Sequence, residues 1–147
     1  MTTLIFWFCF VLTSSTLFPK DWISIDGKTY LFVNSTLSFE DAANHCNTLG
    51  GKLFEPQNLA TYEKVYEIAK KFGTLGWIGI EDLKHEGEFV YHSTQKAISF
   101  SQWRSTQPDN NSYYGYEHCA ELYWYRNRGG QWNDGNCNNK YKSICEK

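Results

Sequence analysis

The sequence predicts an α+β fold carried on an antiparallel sheet, and three observations predict it. Two stretches with the 3.6-residue apolar period of amphipathic helices lie in the first half of the chain. From Trp77 onward that period gives way to short strand-like runs divided by Gly, Asp, Ser and Lys. Helices that precede strands, rather than alternating with them, belong to α+β architecture and not to a parallel βαβ sheet.

The elements follow in order. Residues 1–15, "MTTLIFWFCFVLTSS", are apolar from position 4 to 12 and then turn small and polar. That run is too short to span a bilayer and fits the apolar core of a signal peptide, with Ser or Thr at positions 13–16 suited to cleavage. No Lys or Arg precedes it, so only the amino terminus supplies positive charge. The expectation is a leader over 1–16, a domain over 20–147, and a secreted product without a membrane-inserted segment. Next, "DWISIDGKTYLFV" alternates apolar and polar residues around Asp26-Gly27, a two-residue hairpin turn. Ser38, with Asp41 three residues on, signals a helix N-terminus; Phe39, Ala42, Ala43 and Cys46 follow at helical spacing, and Gly50-Gly51 ends it. A second helix carries the stripe Leu59, Tyr62, Val65, Ile68, Ala69 and Phe72, with Lys70 and Lys71 suited to its C-terminal dipole and Gly73 as its cap. "GWIGI", "GEFVYH", "AISFSQW", "AELYWY" and "SICE" then read as strands, joined by loops rich in Asn, Gly and Tyr.

Composition narrows the function classes. The chain has 147 residues, 41% hydrophobic and 20% charged, which suits one globular domain. Net charge is −2 and no basic run stands out, so neither nucleic acid nor an anionic membrane surface is an expected partner. Cys9 leaves with the leader, and Cys46, Cys119, Cys137 and Cys145 remain. An even count in a secreted chain reads as two disulfides with three alternative pairings. A zinc site is not expected, since no C-x-x-C pair exists and His45, His85, His92 and His118 show no ligand spacing.

The oxygen-rich segments need an explanation, because long structureless loops are uncommon unless they have a task. "WIGI" at 77–80, "QPD" at 107–109, "EHCAEL" at 117–122, "WNDGNC" at 132–137 and the final "SICEK" occur in an order and spacing that resemble a C-type lectin domain of the galactose-type subgroup. The resemblance covers about residues 22–146. It implies a fold of two helices and two small antiparallel sheets with long loops, and it implies the pairs Cys46–Cys145 and Cys119–Cys137. It also implies a Ca²⁺ held by Gln107, Asp109, Glu117, Asn133 and Asp134, joined by the backbone carbonyl of Asp134, with Pro108 at the family's cis-proline position. A hard cation wants six to eight oxygens; three carboxylates neutralise it and two amides add oxygens without further repulsion. In that family vicinal sugar hydroxyls complete the ion's shell. Glu-Pro-Asn goes with mannose-type sugars and Gln-Pro-Asp with galactose-type sugars, so this chain is expected to bind galactose or N-acetylgalactosamine. Tyr113, Tyr114 and Tyr116 are the candidates for stacking on the sugar's apolar face, and Trp132 is expected to be buried scaffold.

Several departures from the family pattern accompany the match. The segments before Glu117 and before Gln131 are longer than usual. A second family Ca²⁺ site would use Asp82 and Glu86, but its other positions hold Asn110 and His118, so it is expected to be weak or absent. Asn34 and Asn110 lie in N-x-S/T sequons and are glycosylation candidates. No Ser-His-Asp or Cys-His signature is present and the site acids are assigned to a cation, so no enzyme activity is expected. The competing reading is a protein-binding module of the same fold without sugar or Ca²⁺. As a lectin, the chain would meet galactose-type glycans on glycoproteins or cell surfaces, and weak single-site affinity would call for a homo-oligomer.

Overall fold

The Asp26-Gly27 turn forms as its sequence dictates. Both residues take positive φ, 49° and 82°, the twist that matches a two-residue hairpin, and β1 (Ile23–Ile25) pairs antiparallel with β2 (Lys28–Leu37). The structure is a computed structural model and describes residues 21–111, 113, 115–125 and 128–147; the leader, Cys9 and Tyr114 lie outside them. The Asp26 carboxylate then ties the turn to the second helix, accepting from Lys64 Nζ at 2.6 Å and Thr61 Oγ1 at 3.0 Å.

Helix α1 (Phe39–Thr48) starts at Ser38, whose hydroxyl accepts from the Asp41 N–H and donates to the Asp41 carboxylate at 2.6 Å. Such a cap stabilises a helix by about 1 kcal/mol. Its buried face is Phe39, Ala42, Ala43 and Cys46, the four residues the spacing selected. After the short β3 (Lys52–Leu53), helix α2 (Leu59–Phe72) runs from an Asn58 cap to Gly73. Its buried residues are Tyr62, Val65, Tyr66 and Ala69, while Leu59 is 46% exposed. The apolar face is therefore turned toward Tyr66, whose ring fits against the bare Cα of Gly130.

The strands β4 (Gly76–Glu81), β5 (Val90–Tyr91), β6 (Cys119–Tyr125), β7 (Arg128–Gly135) and β8 (Tyr141–Glu146) complete one sheet of order β1-β2-β8-β4-β6-β7, with β3 on β8 and β5 on β4. Two antiparallel sheets were expected from the resemblance; here two antiparallel ladders are fused through a parallel pairing of β4 with β8. Gly76 permits the fusion, since a Cβ there would lie 2.1 Å from the Lys142 carbonyl oxygen. Two further expectations need correction. "AISFSQW" is not a strand and contributes only isolated bridges, Val90 to Ala97 and Trp103 to Trp132. The "QWND" segment, read as loop, is part of β7.

Every residue of β4 is buried, because both faces of the sheet are covered there. Ile78 and Ile80 enter the α2-side core with Tyr62, Val65 and Trp132, and Trp77 enters the α1-side core with Phe39, Cys46 and Cys145. Trp132 is fully buried, edge-on to Trp103 at 5.5 Å, as a scaffold residue should be. The disulfides are Cys46–Cys145 and Cys119–Cys137, with sequence separations of 99 and 18. In the chain-entropy account they stabilise by about 4–5 and about 3 kcal/mol. Among the described residues no helix is long and apolar enough to cross a membrane.

Candidate functional site

The 103–110 segment is laid against β7 by backbone pairing. Trp132 N donates to Gln102 O at 2.7 Å, and Arg104 N donates to Trp132 O at 2.9 Å. Because strand side chains alternate, burying Trp132 turns Asn133 to the other face, and the pinned loop brings the Asp109 N–H to the Asp134 carboxylate. The Gln107-Pro108 peptide is cis, as expected. Asp134, 1% exposed, then organises the loop: its carboxylate accepts from Asp109 N, 3.1 Å to each oxygen, and from Asn110 N at 2.8 Å. Asn110 has φ 44°, a left-handed conformation tolerated by Asn.

The result is a tight acidic cluster. One carboxylate oxygen each from Asp109, Glu117 and Asp134 lies within 4.8 Å of the others. Burial pushes the Glu117 carboxyl up; the Asn111 N–H pulls it down, and the Asp134 and Asp109 carboxylates push it up again. The Gln107 Oε1 is buried and has no hydrogen-bond partner. Asn133 Nδ2 donates to Glu121 Oε1 at 3.2 Å and also to the Asp134 carbonyl. Three of the five expected residues, Asp109, Glu117 and Asp134, are therefore brought together, and a donor set of carboxylates and amide oxygens is of the kind a hard cation such as Ca²⁺ takes.

Glu121 was not anticipated. It lies on β6 opposite Asn133, and burial, with Glu117 and Asp134 adding to it, raises its carboxyl to about 7. Its sequence signal was weak, since "AEL" reads only as strand. Of the tyrosines, Tyr113 is 80% and Tyr116 66% exposed, and the Tyr116 ring stacks on His118.

The family described as "Lectin C-type domain" matches residues 35–147. The chain belongs to the C-type lectin domain family. Salivary C-type lectin 1 of Aedes albopictus is 33% identical over 127 residues, covering 80% of this chain and 81% of that protein. Collectin-10 of Xenopus tropicalis is 32% identical over 140 residues and covers 92% of this chain, which spans about half (49%) of the collectin's length. Among solved structures, the human scavenger receptor C-type lectin carbohydrate-recognition domain superposes with a TM-score of 0.77 at 29% identity, covering 88% of this chain and 97% of that one.

This C-type lectin domain holds a second cluster. Asp82 and Glu86 meet His118, with ligand atoms again within 4.8 Å. His118 Nδ1 lies 2.9 Å from Asp82 Oδ1 and 3.4 Å from Glu86 Oε2, so the positions of the family's second site do meet, with an imidazole among them. Asn110 reaches the same cluster, donating from Nδ2 to Glu86 Oε2 at 2.6 Å, while its Oδ1 accepts from Glu117 N at 2.9 Å. The two sequons thus differ, since Asn34 is exposed on β2 while the Asn110 amide is engaged at both ends.

Proposed function

We propose that this domain is a Ca²⁺-dependent lectin that holds vicinal hydroxyls of galactose or N-acetylgalactosamine. One observation carries the reading: carboxylate oxygens of Asp109, Glu117 and Asp134 crowd within 4.8 Å of one another, and a buried Gln107 carbonyl oxygen of the same loop has no partner. Three crowded carboxylates, of which Asp134 is buried, and an orphaned oxygen cost free energy unless a cation meets them. Ca²⁺ held by Gln107, Asp109, Glu117, Asn133 and Asp134 would leave two coordination positions for sugar oxygens. The chain's residues do the rest. Carboxylates accept the hydroxyl protons and amide N–H groups donate to the hydroxyl oxygens, a charge-assisted set whose order around Pro108 selects the diol geometry. The exposed Tyr113 and Tyr116 rings offer an apolar face beside it.

In this reading the chain is secreted after loss of residues 1–16, Asn34 is the residue free to carry a glycan, and the role is binding rather than catalysis. Single-site affinity is on the order of millimolar, about −4 kcal/mol, so useful avidity requires several copies. A glycan array run with Ca²⁺ and with chelator tests the proposal. Retention of galactose- and N-acetylgalactosamine-terminated glycans only with Ca²⁺ is the expected result. Calorimetry that gives no heat from Ca²⁺ or galactose would instead identify a protein-binding module.

A further inference from the structure

We infer that the Asp82–Glu86–His118 cluster is a site for a borderline divalent transition metal of the Zn²⁺ class, and not a second Ca²⁺ site. The donors decide it. Ca²⁺ wants six to eight oxygens, but this cluster offers an imidazole nitrogen and two carboxylates. The Asn110 amide adds no oxygen, because its Oδ1 is taken by the Glu117 N–H and its Nδ2 points at Glu86. The 3.4 Å separation from His118 Nδ1 to Glu86 Oε2 matches the edge of a tetrahedron with bonds of about 2.0–2.2 Å, roughly 3.3–3.6 Å, and the 2.9 Å separation to Asp82 Oδ1 needs to open by only about 0.5 Å.

The cluster is also preorganised. Asp82 N donates to His118 O at 3.0 Å, which holds the two residues side by side where β4 ends and β6 begins. Gly87 N donates to Asp82 Oδ2 at 2.7 Å and leaves Oδ1 facing the imidazole. The Tyr116 ring stacks on His118, centroids 6.1 Å apart and planes at 25°, and so sets the plane of the imidazole. The Asp82 side chain is fully buried, where a carboxylate needs a cationic counterpart. Outer contacts of this kind orient metal-binding histidines. Three protein donors leave a fourth position for water.

The test is a Zn²⁺ titration of the whole secreted chain by calorimetry and equilibrium dialysis, in saturating Ca²⁺ and without sugar. Its readout is independent of the lectin reading, so either can fail alone. The expected result is one Zn²⁺ per chain, not displaced by Ca²⁺. Affinity should fall about 100-fold or more in His118→Ala and in Asp82→Asn, since even outer-contact changes cost 10–100-fold. It should be unchanged in Asp109→Asn. His118→Asp should lose Zn²⁺ and gain a second Ca²⁺. Thermal melts of each variant, with His118→Gln as the shape-preserving control, separate lost binding from lost folding. No saturable Zn²⁺ uptake by the parent, or uptake unaffected by His118→Ala in a folded protein, overturns the inference.

Discussion

The two clusters share a loop and differ in chemistry. Asp109 and Glu117 serve the first, while their neighbours in sequence, Asn110 and His118, serve the second. One segment therefore lines both sites through residues adjacent in sequence, with Asn110 at φ 44° where the chain turns between them. The Cys119–Cys137 disulfide straps the end of this segment beside β7, which supplies Asp134. What separates the clusters is donor type. The first gathers carboxylates and amides, the second replaces amide oxygen with imidazole nitrogen. A single residue, His118, changes the ion the second would accept, while the scaffold that presents it stays the same.

The comparison can be broken most severely at Asp134. Asp134→Ala removes an acid of the first cluster and leaves the Asp109 and Asn110 N–H groups without their acceptor. Ca²⁺-dependent galactose binding should fall by more than about 100-fold, as when an inner metal ligand is lost, with Zn²⁺ uptake retained. Isothermal titration with each ion in turn reads both.

The next effect is on stability. Burial raises Glu121 to about 7, above its ordinary value, so the folded protein holds a proton there that the unfolded chain releases. In chelator, stability should therefore be fully present below about pH 4.5 for this group and be lost as pH rises through 7, by about 2–3 kcal/mol. Glu121→Gln should flatten that slope in melts across pH 5 to 8. Added Ca²⁺ should oppose the loss at high pH by favouring the ionised acids around it.

Smaller shifts sharpen the contrast. Exchanging Gln107→Glu and Asp109→Asn reverses the amide-acid order at Pro108 and should move preference toward mannose by on the order of tenfold, read from elution on galactose and mannose columns. Unchanged elution would refute the galactose assignment. Smallest is Tyr113→Ala, expected to weaken sugar binding by about 1 kcal/mol, roughly fivefold. Tyr116→Ala should act chiefly on the second cluster, because its ring stacks on His118. Equal effects of both variants on sugar would erase the distinction between the two sides of the loop.

Much of this protein was legible as local pattern. Helix α1 was readable from Ser38 and Asp41 to Cys46, helix α2 from its stripe and Gly73, and the first hairpin from Asp-Gly, because caps, periods and turns are decided within a few residues. The motif order around Pro108 also named Asp109, Glu117 and Asp134, whose carboxylates the fold brings together. Other features depend on partners distant in sequence. The parallel joining of β4 to β8 rests on how closely Gly76 can approach Lys142. The rotation of α2 toward Tyr66 rests on Gly130, and the strand character of "QWND" on its pairing with β6. The raised Glu121 rests on burial, and His118 meets Asp82 and Glu86 only because β4 and β6 are neighbours. Sequence alone determined where the chain turns and which faces are apolar. Tertiary packing decided which charged side chains meet, since their energies depend on separation and burial, which no stretch of sequence contains.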